Sequence, residues 1–450
     1  MTSNRDLAAH VVRLARAAGA EQCDVVVQAY DESSVTVRLG KVEKLIEAGS
    51  RSLGLRVIDG GRTAVCSTSD LRDEALDRLA RETVELARIS EADEFAGLPD
   101  VSSLSAATAA GLQLYDERLG SLTTGEKVAM ATACESAARA FDPRITNSDG
   151  SSLTTRIGEV ALANSLGFAA GYPVTSVFLA VEVMADDEGG KKRNASWYSA
   201  ERSLHRLADA EEVGRIAARR ALGQLGARKV RTGQFPVVLE PMMAAALLRD
   251  VAGCATGAAL YRGATFLAGR TGQALGSALV TISDEPALPG RLGSRPFDGE
   301  GSGARPTTLF EAGVFRAFLF DSYTGRRTGN ATTGSAQRGV ESAPAPGPSN
   351  LVFAPGVTPP EEVIGGVRRG LYLTEFLGFG FNPTTGDFSR GAGGYWIEDG
   401  RIAFPVTEVN VSGRMEQMLA NVDAVGSDLA WFGAMAAPTV RSSEMTFAGL

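Results

Sequence analysis

CDVVVQAYDESSVTVRLGKVEKLIEAGSRSLGLRVIDGGRTAVCST, residues 23 to 68, reads as β-structure. Five short β-rich runs, DVVVQAY, SVTVRL, KLIEAG, LGLRVI and TAVCST, are separated by turn formers such as Asp59-Gly60-Gly61. An antiparallel meander is the expectation. Upstream, Leu7, Val11, Leu14 and Ala18 fall at helical spacing, with Ser3 or Asn4 as N-cap and Gly19 as stop. Downstream, a charged helix is expected over about 70–89, followed by a polar, Ser- and Ala-rich connection to about Gly111. Thr123-Thr124-Gly125-Glu126 has the spacing of a capping box and leads into an Ala-rich helix that Pro143 stops.

Further strands run to about Met184, and Asp209 to Leu225 reads as a helix before the strand FPVVLE. A helix of small and apolar residues is expected over about 242–261. Beyond it the chain is Gly-rich and strand-like, and the Pro-rich segment 342–350 is expected to lack regular structure. The expected fold is therefore α+β: residues 1–228 form a domain of helices and antiparallel strands, and 229–450 a β-rich sandwich or barrel-like domain.

Composition narrows the function. At 450 residues, with 44% hydrophobic and 22% charged, the chain matches an ordinary globular protein of two or three domains. A net charge of -8 repels nucleic acid. The densest basic run, Lys191-Lys192-Arg193, follows Asp186, Asp187 and Glu188 and reads as a solvated hairpin tip. Residues 160–181 are uncharged, but Asn164, Gly167, Gly171 and Pro173 argue for two strands and a turn rather than a membrane span. Arg5 and Asp6 interrupt any apolar signal segment, and Cys23, Cys66, Cys134 and Cys254 form no CxxC pair, so a cytoplasmic protein with reduced thiols is expected.

Local chemistry gives no active site. His10 and His205 lie far apart, whereas an HExxH zinc helix needs two ligands one turn apart, and both read as solvent-facing. No GxSxG or GxxxxGK[ST] occurs. Asp298 and Glu300, in RPFDGEGSG, form a candidate acid/base pair in a cleft if they share a strand face, but a solvated turn is the plainer reading. Cys254, in an Ala-rich helix, reads as a small core residue.

Four segments carry a resemblance: GARKVRTGQFPVVLEP (226–241), RPFDGEGSGARPTTLFEAGVFRAFLFDSYTGRRTGNATTG (295–334), PSNLVFAPG (348–356) and DFSRGAGGYWIEDGRIAFPVTEVNVSG (387–413). Together they resemble the TldD/PmbA family of metallopeptidases. In the TldD branch, the helix after the VVL strand carries HExxxH, and a cysteine near the C-terminus completes the zinc site. The matching positions here are Arg249, Asp250 and Cys254, and residues 428–440 hold no cysteine. Arg249 offers no lone pair. The resemblance therefore implies the PmbA/TldE branch: a chain with no catalytic or metal-binding residue of its own, zinc residing in a TldD-type partner, and a pair that cleaves unfolded or leader peptides. Older descriptions of the family speak of DNA gyrase, but nothing basic in this chain supports direct DNA contact.

Two other readings stay open. One is a stand-alone peptide-binding homodimer. The other is a zinc-free peptide-tailoring enzyme using Cys254 or the Asp298/Glu300 pair. A TldD-type partner bearing HExxxH would discriminate in favour of the subunit.

Overall fold

The computed structural model describes residues 3–449. Helix α1 (Asn4–Ala17) starts where the Ser3 hydroxyl accepts the Asp6 amide at 3.1 Å, and the chain leaves it through Gly19 at φ 100°. The five expected runs then fuse into three long strands, β1 (Gln22–Arg38), β2 (Lys41–Asp59) and β3 (Arg62–Thr68). The polar stretches between the runs do not break the ladder because each pairs with a β-rich run on the neighbouring strand. Asp31 faces Gly49 and Ser33 faces Glu47, so every step keeps a backbone partner.

Both hairpin turns have two central residues at positive φ, Leu39-Gly40 and Gly60-Gly61. Leucine tolerates this conformation poorly. The buried Glu135 carboxylate compensates by accepting the Leu39 amide at 2.7 Å and the Gly40 amide at 2.8 Å.

Helices α2 (Asp73–Ile89), α3 (Glu117–Ser121) and α4 (Thr124–Ala140) follow, and α4 carries the expected capping box between Thr123 and Glu126. Strands β4 (Ile145–Asn164), β5 (Ala169–Asp186) and β6 (Lys192–Glu201) complete an antiparallel sheet of order β3-β2-β1-β4-β5-β6. The uncharged stretch 160–181 is the β4–β5 hairpin, and among the described residues no helix is long and apolar enough to cross a membrane. Helices α1 and α2 bury one apolar cluster against this sheet. The α4 helix and α5 (Ala210–Leu222) bury another.

The second half opens with β7 (Gly233–Leu239), α6 (Pro241–Cys254) and α7 (Gly257–Tyr261). One helix over 242–261 was the expectation, and the chain instead breaks at Ala255-Thr256. The Leu319 backbone intrudes there, accepting the Gly257 amide and donating to the Ala255 carbonyl, each at 2.8 Å. Gly257 is required by that approach, since a Cβ on it would lie 2.4 Å from Phe320.

Short strands follow: β8 (Ile282–Asp284), β9 (Thr307–Glu311), β10 (Val314–Phe315), β11 (Ala336–Gln337), β12 (Ala345–Pro346) and β13 (Leu351–Phe353). The Pro-rich segment thus contributes one two-residue pairing, where irregular chain was expected. Then come β14 (Arg369–Leu377), β15 (Asp387–Glu398), β16 (Arg401–Arg414), β17 (Val422–Val425), β18 (Ala430–Phe432), β19 (Met435–Ala437) and β20 (Val440–Ala448). Strand β7 pairs with β14 and β20, and β16 pairs with β15 and β20, so β7-β14-β15-β16-β20 close into a five-stranded barrel. The fold is α+β, with the barrel-like second half the sequence led us to expect.

Leu248 of α6 is 2% exposed and borders a void of about 40 Å³ shared with Met418 and Met445. Leu248→Ala should therefore cost roughly 2 to 5 kcal/mol in denaturant unfolding. A loss within about 0.5 kcal/mol would mean that α6 is not anchored there.

Candidate functional site

Helix α6 turns Ala244, Leu247, Leu248 and Val251 into the core of the second half and leaves Arg249 and Gly253 exposed. Asp250, beside them, accepts a hydrogen bond from Arg390 Nη2 of β15 at 2.9 Å. Arg390 is itself held against the Phe388 and Phe376 rings, with its guanidinium carbon 5.1 and 5.6 Å from their centroids. Burial raises the Asp250 carboxyl, while Arg390 pulls it back down. The Cys254 thiol is fully buried and lies 3.8 Å from the Pro383 carbonyl. Burial first, then the charge of Asp250, pushes that thiol up to about 12, so it stays protonated.

The β18–β19 hairpin packs against α6. It supplies Trp431 and Phe432, and residues 428–440 hold no histidine or cysteine. Of the histidines, His205 is exposed in the turn after β6, whereas His10, on α1, is half-buried near Asp73 rather than fully solvent-facing. Among the described residues no three His, Cys, Asp or Glu side chains converge as a metal site. The donors at the end of α6 do not fit a zinc ion: one is a cation, one is tied to a cation and one is a buried neutral thiol.

A cleft of about 240 Å³ opens near this helix, between the two halves of the chain. Arg220 of α5 lines it and is held behind it by Glu240, the N-cap of α6, through two hydrogen bonds of 2.9 and 2.7 Å. Arg220 also donates to the Thr374 carbonyl at 2.7 Å. Its guanidinium lies 4.9 Å from the Trp197 ring of β6, and Trp197 meets Phe432 edge-on at 6.1 Å. Glu375, half-buried in the cleft, has its carboxyl raised by desolvation. Strand β6 lines one wall and is the outermost strand of the first sheet. None of Arg220, Glu240, Arg390 or Trp197 had been singled out by sequence.

Asp298 and Glu300 lie in a turn, as the plainer reading had it, but the turn is buried rather than solvated, at 2% and 0% exposure. Asp298 Oδ1 accepts the Glu300 and Ser302 amides, both at 2.9 Å, and Oδ2 accepts Ala336 at 3.0 Å. Glu300 accepts the Ser322 amide at 2.8 Å and faces Arg56 at 3.7 Å. Neither residue is in a strand, so the two share no strand face. Their hydrogen bonds make them fasteners between segments.

Burial pushes the Glu300 carboxyl up to about 7, with Arg56 pulling it down and Asp298 pushing it further up. The folded state thus holds this proton more tightly than the unfolded chain does. Its contribution to stability is complete below about 4.5 and is lost as pH rises through about 7. Glu300→Gln, which copies the neutral form, should match the parent at low pH and exceed it above pH 7, by on the order of 1 to 3 kcal/mol. Urea unfolding at both pH values checks this, and equal effects at the two would remove the titration.

Three sequence models of the PmbA/TldA metallopeptidase family match the chain in succession: domain 1 over residues 23–87, the central domain over 117–225 and the C-terminal domain over 232–449. The chain belongs to the PmbA/TldD family. Metalloprotease PmbA of Escherichia coli O157:H7 is 32% identical over 426 residues, covering 95% of this chain and 92% of that protein. A Bacteroides thetaiotaomicron protein provisionally described as a modulator of DNA gyrase shares the fold with a TM-score of 0.93 at 28% identity, over 100% of both chains. TldE from Thermococcus kodakarensis superposes with a TM-score of 0.88 at 20% identity, covering 98% of this chain and 99% of its own.

Proposed function

We propose that this chain is the zinc-less, TldE-type subunit of a cytoplasmic two-subunit metallopeptidase, binding an extended unfolded or leader peptide while a TldD-type partner supplies the zinc. The observation that carries this reading is the end of α6, where Arg390 occupies Asp250 and Cys254 is sealed as a thiol. An HExxxH helix needs open lone pairs on one face, and these side chains offer none. The outermost strand β6 favours peptide capture by strand addition. Main-chain hydrogen bonds then provide sequence-tolerant affinity, and the neighbouring cleft receives alternate side chains.

Elemental analysis of the purified chain tests the assignment. Zinc should stay far below one equivalent, and added zinc should leave the melting temperature unmoved, since a ligand that binds only the folded state must raise it. One tightly held equivalent would overturn the reading.

A further inference from the structure

A second cavity, of about 300 Å³, lies where the β2–β3 hairpin and the chain after α2 meet α7, helix α8 (Ser322–Thr328) and the Pro-rich segment. Two charged residues that line it are almost wholly buried, Arg56 at 5% and Asp321 at 1% exposure. Arg56 spends Nε and Nη2 on Asp24, and its Nη1 has no hydrogen-bond partner yet is not among the sealed polar atoms. Asp321 is fixed through Oδ1, which accepts the Thr324 amide at 2.8 Å and the Thr324 hydroxyl at 2.5 Å. Its Oδ2 is likewise unpartnered and unsealed. Both residues are buried everywhere else, so the access these two atoms keep is to the cavity they line. Arg56 forms its ion pairs with Asp24 and Glu300, not with Asp321, which leaves a gap between the free donor and the free acceptor. One water could bridge such a gap, but its share of volume is only about 30 Å³, and the cavity holds far more.

We propose that this cavity binds a free α-amino acid as its zwitterion, with the carboxylate on Arg56 Nη1 and the ammonium on Asp321 Oδ2. A free cationic donor and a free anionic acceptor in one cavity call for a ligand that carries both charges. A simple anion would face Asp321 and a simple cation would face Arg56, and either would leave the other charge unpaired. Each charge-assisted contact is strengthened where water is scarce. Ala258, Tyr261, Pro344 and Pro346 offer apolar surface to the ligand's side chain. Asp93, also in the lining, does not compete for the ammonium, because it accepts the Tyr323 hydroxyl at 2.7 Å and the Phe95 amide at 2.9 Å and faces Arg327 at 3.5 Å. The site is separate from the α6 end and does not depend on the subunit assignment.

Calorimetric titration of the full chain tests it with glycine, L-leucine and L-phenylalanine, and then with the N-acetyl and the amide derivatives of whichever binds tightest. Saturable binding of at least one free amino acid is expected, and the preferred one reports the room left for a side chain. Removing either charge, by acetylation or amidation, should weaken binding at least about tenfold. Asp321→Asn, which keeps an oxygen for Thr324, should do the same. No saturable heat from any of the three up to about 10 mM, equal binding of either derivative, or unchanged affinity in Asp321→Asn would each overturn the site. Should that variant fail to fold, Ala345→Trp, at an exposed position of the lining, serves instead. Loss of binding there supports the site, and unaltered affinity sinks it.

Discussion

An unfolded peptide incubated with this chain alone is expected to stay intact, and to be cut once a TldD-type partner carrying HExxxH is added, with a chelator abolishing the cleavage. A metal polarises the scissile carbonyl and makes water nucleophilic at neutral pH, and on the present reading only the partner holds one. On that reading this chain's residues would bind and orient, with the β6 edge aligning the peptide backbone and the cleft beside Arg220 receiving side chains. Orientation is worth much in rate, so leaving this chain out should slow turnover by about 10²-fold, although it contributes no reacting group. Gel or mass-spectrometric assays of each protein alone and of the mixture separate the cases. Chelator-resistant cleavage by this chain alone would end the subunit reading. Full activity of the partner alone would make this chain a bystander.

The second large effect is on stability. Asp24, at the start of β1, is completely buried between Arg56 of β2 and Arg338 of the second half. Arg56 Nε donates to both of its oxygens, at 3.2 and 3.0 Å, and both guanidinium groups reach it through an Nη. Desolvation opposes the charged carboxylate, but Arg338 and Arg56 outweigh it and hold the group below its usual range. Asp24→Ala leaves two buried cations facing each other, and breaking a buried pair in this way costs roughly 3 to 5 kcal/mol. Urea unfolding at pH 7 measures the loss, and a change below about 1 kcal/mol would show that water already reaches the pair. The double variant Asp24→Ala/Arg338→Met should lose less than the two single losses combined, because the second change removes one stranded charge.

Helix α1, the capping box of α4 and the Gly60-Gly61 turn could all be read from the chain, because each is closed by hydrogen bonds between residues no more than four apart. Arg249, Asp250 and Cys254 were legible in a different way, through a resemblance that placed them on one helix. What surrounds them was not. Arg390 is 140 residues from Asp250, and Arg338 is 314 from Asp24, so no local pattern announces either pair. Likewise the break between α6 and α7 is imposed by the backbone of Leu319, and the fusion of five runs into three strands by the pairing of Asp31 with Gly49. Local spacing specified which side chains could cap, turn or alternate. Only the closing of the two halves on each other settled which carboxylates lost their water, and the sign of every charge at those sites then had to be matched by a residue distant in sequence.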